Sequence, residues 1–279
     1  MAADSASTGT NLSMNEWQST FEGAVYDKMK FLPKTKERER GYALLTVRKM
    51  GRVNGQTLAT TQDGTTMALD TMAPTIVTLT PNWYLCAHAY SDALPWVSGD
   101  GIDKAAANNV EDALAAYIEN QYLGIVPSLT NFLGNSAYDT DAAGFRAAVA
   151  QLYSNSFGLA EPGNTSIYGL LGALQHDDLM SVPEFTSAEQ RGDGQNPLVS
   201  GVVGKGNAVN IMFSTLLASD ASGLHGCLWV PSAFGYYYNK RPNGEKQRYM
   251  KQTRVFADAH VGFNVVQNTR AVDFRTKTT

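Results

Sequence analysis

Four residues have the types and spacing to hold a metal ion. Cys86-x-His88 and His225-x-Cys227 are two pairs, each with one residue between its members. In extended chain each pair shares a face, because side chains alternate with a period of two. On neighbouring strands the four would make a Cys₂His₂ set of the kind that holds zinc. The usual C-x₂-C and H-x₃-H spacings are absent, however. Small buried cysteines and hydrogen-bonded core histidines account for the same residues. A Cys–His nucleophile is the weakest of these readings.

A second stretch has the look of a phosphate cradle. Residues 201–206, "GVVGKG", set Gly201, Gly204 and Gly206 around Lys205. A phosphate loop needs G-x-x-x-x-G-K-[ST], with the hydroxyl on the magnesium. Here Gly206 stands where the hydroxyl should be, and the glycine spacing differs. "NAVNIMFST" then alternates at Val209, Ile211 and Phe213, a strand where a helix N-terminus should meet the phosphate. The stretch reads as a glycine turn between strands. No paired carboxylates, nucleophile elbow or dinucleotide fingerprint stands out. The expectation is a protein that is not an enzyme, with no catalytic, cofactor or metal residues.

Other motifs carry less. The tripeptide at Arg191–Asp193 and the sequons at Asn11 and Asn164 need a secreted context. Tyr236, Tyr237 and Tyr238 could stack on bases, but the acidic balance favours packing. The mixed run "KTKERERG" sets Lys34, Lys36, Arg38 and Arg40 against Glu37 and Glu39. It reads either as a solvated loop or as an intersubunit ion-pair patch on an extended arm.

The composition limits the function class. The chain has 279 residues, a net charge of −4 and a pI near 5.6. That balance lacks the basic footprint of a nucleic-acid reader. Two cysteines cannot form a disulfide scaffold, so a reducing compartment is expected. The start, "MAADSASTGT", has no signal-peptide pattern, and no window reaches about 18 consecutive apolar residues.

The elements that must position any site follow from periodicity. Trp17, Phe21, Val25 and Met29 are four apart, an amphipathic helix after a polar arm. Residues 42–49 read as a strand, followed by Asn54-Gly55 and a second extended run, a hairpin with little core of its own. "TIVTLTPNWYLCAHAY" is a strand region, apolar on both faces and so expected to be covered on both. A long helix carries Ile102, Ala106, Val110, Ala113, Leu114, Tyr117 and Ile118 on one stripe, with Asp103 at its start and Pro127 past its end. "DAAGFRAAVAQLYSN", capped by Asp141, and "NTSIYGLLGALQHDD" read as shorter helices. Strands dominate the last third, with "KRPNGEK" as a turn and "RYMKQTRVFAD" pairing with the run before it. Arm, hairpin, strand, long helix, helices and strands make an α+β order.

This order resembles the major capsid protein of tailed bacteriophages, with the Hong Kong 97-type coat fold. The similarity runs from roughly residue 15 onward and rests on arrangement. The segments that carry it are "YALLTVRKMGRVNGQTLATTQDGTTM", "DKAAANNVEDALAAYIENQYL", "FRAAVAQLYSNSFG", "SIYGLLGALQ", "NPLVSGVVGKGNAVNIMFSTLLAS" and "HVGFNVVQNTRAVDF". The resemblance implies an N-terminal arm over 1–33 and an extended two-stranded loop over 34–74. A peripheral domain with a spine helix would occupy 75–130 and an axial domain 131–224. Residues 225–279 would supply peripheral strands and the return to the core.

The implied function is a subunit that assembles with itself, as pentamers and hexamers, into an icosahedral capsid around double-stranded DNA. It would enclose that DNA without sequence-specific binding and would not bind membrane. Scaffolding, portal and decoration proteins would be its other partners, the virion its location and the bacterial cytoplasm its place of synthesis. Candidate intersubunit contacts are Glu37, Arg38, Glu39, Arg40, Arg48, Lys49 and Arg52. The alternatives are an encapsulin-like shell around protein cargo and, in a different class, a zinc enzyme using Cys86, His88, His225 and Cys227.

Overall fold

The computed structural model describes residues 24–25, 27–38, 45–49, 75–91, 102–138, 140–155, 166–181, 205–206 and 209–277. Three sheets and three helices of more than one turn organise them. The strands are β1 (Lys36–Glu37), β2 (Leu45–Lys49), β3 (Thr75–Leu79), β4 (Pro81–Ser91), β5 (Phe132–Gly134), β6 (Ile167–Leu171) and β7 (Lys205–Gly206). Then come β8 (Val209–Phe213), β9 (Ser219–Asp220), β10 (Gly223–Trp229), β11 (Phe234–Tyr249), β12 (Gln252–Val265) and β13 (Ala271–Thr276). The helices are α1 (Ile102–Leu123), α2 (Ala142–Asn155) and α3 (Ala173–Met180).

One sheet has four strands in the order β1-β11-β12-β4. A seven-stranded sheet runs β5-β13-β10-β6-β8-β7, with β9 added beside β10. β2 and β3 form a separate antiparallel pair, from Leu45 opposite Leu79 to Lys49 opposite Thr75. The last 55 or so residues therefore serve both large sheets: β11 and β12 join β4, while β10 and β13 join β6.

The long helix forms where its stripe predicts. Ala106, Val110, Leu114, Ile118 and Tyr122 are buried, as are Ala107, Ala115 and Leu123. The stripe is offset from the expected one, so Ala113 and Tyr117 face outward. Glu111 and Glu119 take buried positions beside the apolar residues. This helix packs on β4 and β12. Its core continues across Trp229, Cys227 and Leu170 of the seven-stranded sheet. α2 opens on Asp141, whose Oδ1 accepts the Gly144 amide at 2.6 Å, the expected N-cap. Its buried face packs against Ile167, Leu171, Leu228 and Phe274 in a second core. No helix among the described residues is long and apolar enough to cross a membrane.

Two expected elements take another form. Ile167–Leu171 is a strand, not the first turns of a helix, and α3 begins only at Ala173. The run is buried on both faces, and Gly169 lets Leu228 and Val209 close over it. A short apolar run of this kind fits a buried strand as well as a helix. The residues read as a turn, Lys240–Lys246, lie inside β11. Register shifts fall between Tyr238 and Lys240 and between Lys240 and Asn243, so Pro242 sits where the ladder is already broken. The chain reverses at Met250 and Lys251 instead, with Met250 at φ 54.

Candidate assembly surface

One side of the four-stranded sheet faces the core, and the other is covered at Tyr237 of β11 but open along β4. Tyr84 and Tyr90 of β4 point into the core under α1, with Val255, Ala257, Ala259 and Val261 of β12. The opposite side of β4 carries Trp83, Leu85, Ala87 and Ala89, all exposed. Trp83 is 62% and Leu85 65% exposed. The expectation that both faces of this strand are covered therefore fails within the single subunit.

The outward side is ordered by cross-strand pairing. Lys240, His260 and Trp83 form one row across β11, β12 and β4. Trp83 stacks on His260 with ring centroids 4.5 Å apart and planes 4° from parallel. The Lys240 ammonium lies 5.6 Å from the Trp83 ring centre and pairs with Asp258 at 2.6 Å. Asn239 donates to His260 Nδ1 at 3.0 Å. The next rows add Asn243, Asp258 and Leu85, then Glu245, Phe256 and Ala87. Such a surface has fixed aromatic and aliphatic groups beside paired charges, the makeup of an interface centre with a polar rim.

The β2–β3 pair meets this sheet through β3, which packs beside β12 and β11. Asn264 of β12 donates to the Thr78 carbonyl at 2.9 Å and ties β3 down. The hairpin's first strand falls where expected. Its described partner is Thr75–Leu79, and residues 50–74 between them lie outside the described residues. Arg48 and Lys49 sit opposite Ile76 and Thr75 in that pair. Glu39, Arg40 and Arg52 lie outside the described residues. Glu37 pairs with Arg241 of its own chain at 2.9 Å, both about half-exposed. The Arg38 amide donates to the Tyr236 carbonyl at 2.8 Å, extending the β1–β11 pairing by one residue.

The segment that precedes β1 is braced by a group the sequence reading missed. Glu119 is buried in α1, and its carboxylate accepts the backbone amides of Lys30 at 2.9 Å and Phe31 at 2.7 Å. Leu32 offers a third amide at 3.5 Å. Burial pushes the Glu119 carboxyl above its ordinary value, and the three amides pull it back part of the way. One turn-pair earlier, Glu111 binds the Lys28 ammonium at 3.1 Å. Phe31 then seats edge-on against Tyr122, Trp229 and Phe234, with centroids at 4.9, 4.6 and 5.0 Å. Trp229 Nε1 donates to the Lys34 carbonyl at 3.2 Å, and Lys30 Nζ to the Phe213 carbonyl at 2.6 Å. Trp229 and Phe213 belong to the seven-stranded sheet, Phe234 to the four-stranded one. The segment thus fastens the two sheets together. The available signal was a pair of glutamates eight apart, two helical turns, beside the apolar stripe.

The zinc and phosphate readings find no support in this geometry. Cys86 and His88 lie on β4 and His225 and Cys227 on β10, in different sheets. Burial pushes the Cys86 thiol up and the Cys227 thiol well up, away from the thiolate a ligand or nucleophile needs. Among the described residues no set of three or more His, Cys, Asp or Glu could hold a metal ion. Gly201 and Gly204 lie outside the described residues. Lys205 and Gly206 form β7, which turns back onto β8 with Lys205 opposite Asn210. Tyr236, Tyr237 and Tyr238 are buried and pack the core rather than offering faces to bases.

By sequence, no family model and no curated protein matches the chain. By structure it is similar to several shell proteins. The capsid of Ralstonia phage GP4 matches with a TM-score of 0.68 at 9% identity, covering 90% of this chain and 92% of that one. A protein of Mycobacterium phage Che8 matches with a TM-score of 0.61 at 20% identity, covering 84% and 85%. A virus-like particle from Pyrococcus furiosus matches with a TM-score of 0.61 at 8% identity, covering 94% and 99%. The fold is that of the Hong Kong 97-type coat proteins, an α+β architecture shared over nearly the whole length.

Proposed function

We propose that the chain is a structural subunit that assembles with itself into the icosahedral capsid of a tailed bacteriophage. The observation that carries this reading is the open, ordered stretch at Trp83 and Leu85 of β4, with the β2–β3 pair beside the same sheet. A monomer has no use for Trp83 and Leu85 in water, whereas a neighbour's extended loop laid across them would bury both. Each subunit both gives a loop and receives one, so the contact is heterologous and closes into rings, as pentamers and hexamers. Many such contacts add through multivalency. The charges at Glu37, Arg38, Glu39, Arg40, Arg48, Lys49 and Arg52 would set partner and register at the rim. A mildly acidic wall also suits a container for DNA that must not glue itself to its contents. The role is structural rather than catalytic. Scaffolding, portal and decoration proteins are its further partners, and the subunit is made in the bacterial cytoplasm.

Expression of the chain alone, followed by electron microscopy, tests this. Hollow shells or capsomers are expected. Deletion of residues 50–68 should leave a folded subunit that forms none. Shells that persist after the deletion would refute the loop's role. Particles filled with one protein rather than DNA would point to the cargo-shell alternative, which the Pyrococcus furiosus particle also fits by fold.

A further inference from the structure

We propose that His225 is a protonation-controlled latch on the turn that joins β9 to β10. The proposal is independent of the assembly reading. It starts from a buried ring placed between two carboxylates. His225 is 1% exposed. Its Nδ1 lies 3.1 and 2.9 Å from the two oxygens of Asp273, which is completely buried. Its Nε2 lies 3.0 Å from Asp220 Oδ1, at the half-exposed start of the turn. That second contact is close but off the N–H axis, so Nε2 has no aligned hydrogen-bond acceptor. It is an ion contact whose sign depends on the proton.

A neutral imidazole has one donor and one acceptor nitrogen. Facing two carboxylates, it must present a lone pair to one of them. Only the cation donates to Asp273 while turning a positive ring edge toward Asp220. The two carboxylates are not equally placed to lose it. Asp273 keeps the Arg275 guanidinium, whose Nε donates at 2.7 Å. Asp220, half-exposed, keeps the Ser222 amide, at 2.6 Å, and the Ser222 hydroxyl. The neutral ring therefore retains Asp273 and lets Asp220 go. Contact with His225 first, and the Ser222 amide second, hold the Asp220 carboxyl down to about 2. Asp220 thus stays charged through the neutral range, while burial pushes the Asp273 carboxyl above its ordinary value.

The surroundings leave few other charges to act. Asp273 and Arg275 face the ring from β13 and Asp220 from β9. Cys227 and Trp229 follow on its own strand, on the same face, and are neutral. The turn at Val126–Ser128 against β10 carries no charge. α3 packs on the opposite face, where the neutral Gln175 meets Gly226. The turn itself has defined hinges. The His225 amide donates to the Ala218 carbonyl at 3.0 Å. Gly223 adopts φ +125, where a Cβ would fall 2.3 Å from the Thr276 carbonyl oxygen.

Hydrogen exchange of the full chain, at about pH 5.5 and about pH 8.5, brackets the ordinary histidine range. After correction for intrinsic rates, amides of residues 218–224 should lose about tenfold protection at the higher pH. Amides of the β11–β12 hairpin should not change. Asp220→Asn removes the carboxylate at an exposed site and should make the turn's protection independent of pH. His225→Gln should show the unprotected turn at both pH values. Unchanged wild-type protection across the range overturns the latch. So does the same pH response in Asp220→Asn, which also keeps the test open should His225→Gln fail to fold.

Discussion

The Phe31 amide donates to the Glu119 carboxylate at 2.7 Å, across 88 positions of sequence. That one contact sets residues 30–32 against α1 and drops the Phe31 ring between Tyr122 of that helix, Trp229 of the seven-stranded sheet and Phe234 of the four-stranded one. Burying a phenylalanine contributes about 1.5–3 kcal/mol, and edge-on aromatic pairs add about 0.5–1.5 kcal/mol each. Glu119→Ala should therefore cost more than a surface change. It strands buried amides, each worth about 1–3 kcal/mol. Urea unfolding of the unassembled subunit, with loss of exchange protection at residues 30–32, is the check.

The same carboxyl predicts a pH slope. Its folded value lies above the ordinary 4.5, chiefly through burial. In the window above 4.5 the folded chain holds a proton that the unfolded chain has released. Stability contributed by the protonated form is full below that value and falls as pH rises through the folded one. Glu119→Gln should flatten this part of the stability–pH curve. A slope unchanged in the variant would assign it elsewhere.

Gln175 should behave as a structural hub. Its Oε1 accepts the Gly172 amide at 3.0 Å. Its Nε2 reaches the Phe274 carbonyl at 3.1 Å and Thr276 Oγ1 at 2.9 Å. Gln175→Leu keeps the volume but leaves these groups unpaired in the core, a loss of at least about 2 kcal/mol. Thermal unfolding of the subunit measures it.

Trp83 and Leu85 separate folding from assembly. Both are exposed in the subunit, so Trp83→Ala and Leu85→Glu should change its stability by less than about 1 kcal/mol. Shell yield, read by sedimentation and microscopy, should fall sharply for Leu85→Glu, which places a charge in the proposed interface centre.

Met250 holds a left-handed backbone at φ 54 with an 81% exposed side chain. That conformation costs a non-glycine residue about 1–2 kcal/mol, part of which glycine's own chain entropy cancels. Met250→Gly should raise stability by about 0.5–1 kcal/mol in chemical unfolding.

The long helix, the Asp141 cap and the β11–β12 pairing were all legible in periodicity and capping residues. Ile167–Leu171 was not, because a five-residue apolar run has no period long enough to separate helix from strand. The "PNG" stretch misled because turn chemistry in a long strand can instead mark a bulge. The bare side of β4 was hidden for another reason. Alternation shows which residues share a face, but the covering of a face depends on what packs there. Glu119 escaped notice because its partners are backbone amides, which leave no mark of their own in a sequence.

The position of β13 bears on when a subunit becomes competent. It lies inside the seven-stranded sheet, between β5 and β10, although it is the last described strand to be synthesised. β5 pairs with nothing else in that sheet, and β10 shows it one whole side. A nascent chain still waiting for residues 271–276 therefore holds two incomplete edges in the seven-stranded sheet. On the proposed function, the order of translation itself would keep half-made chains out of a growing lattice.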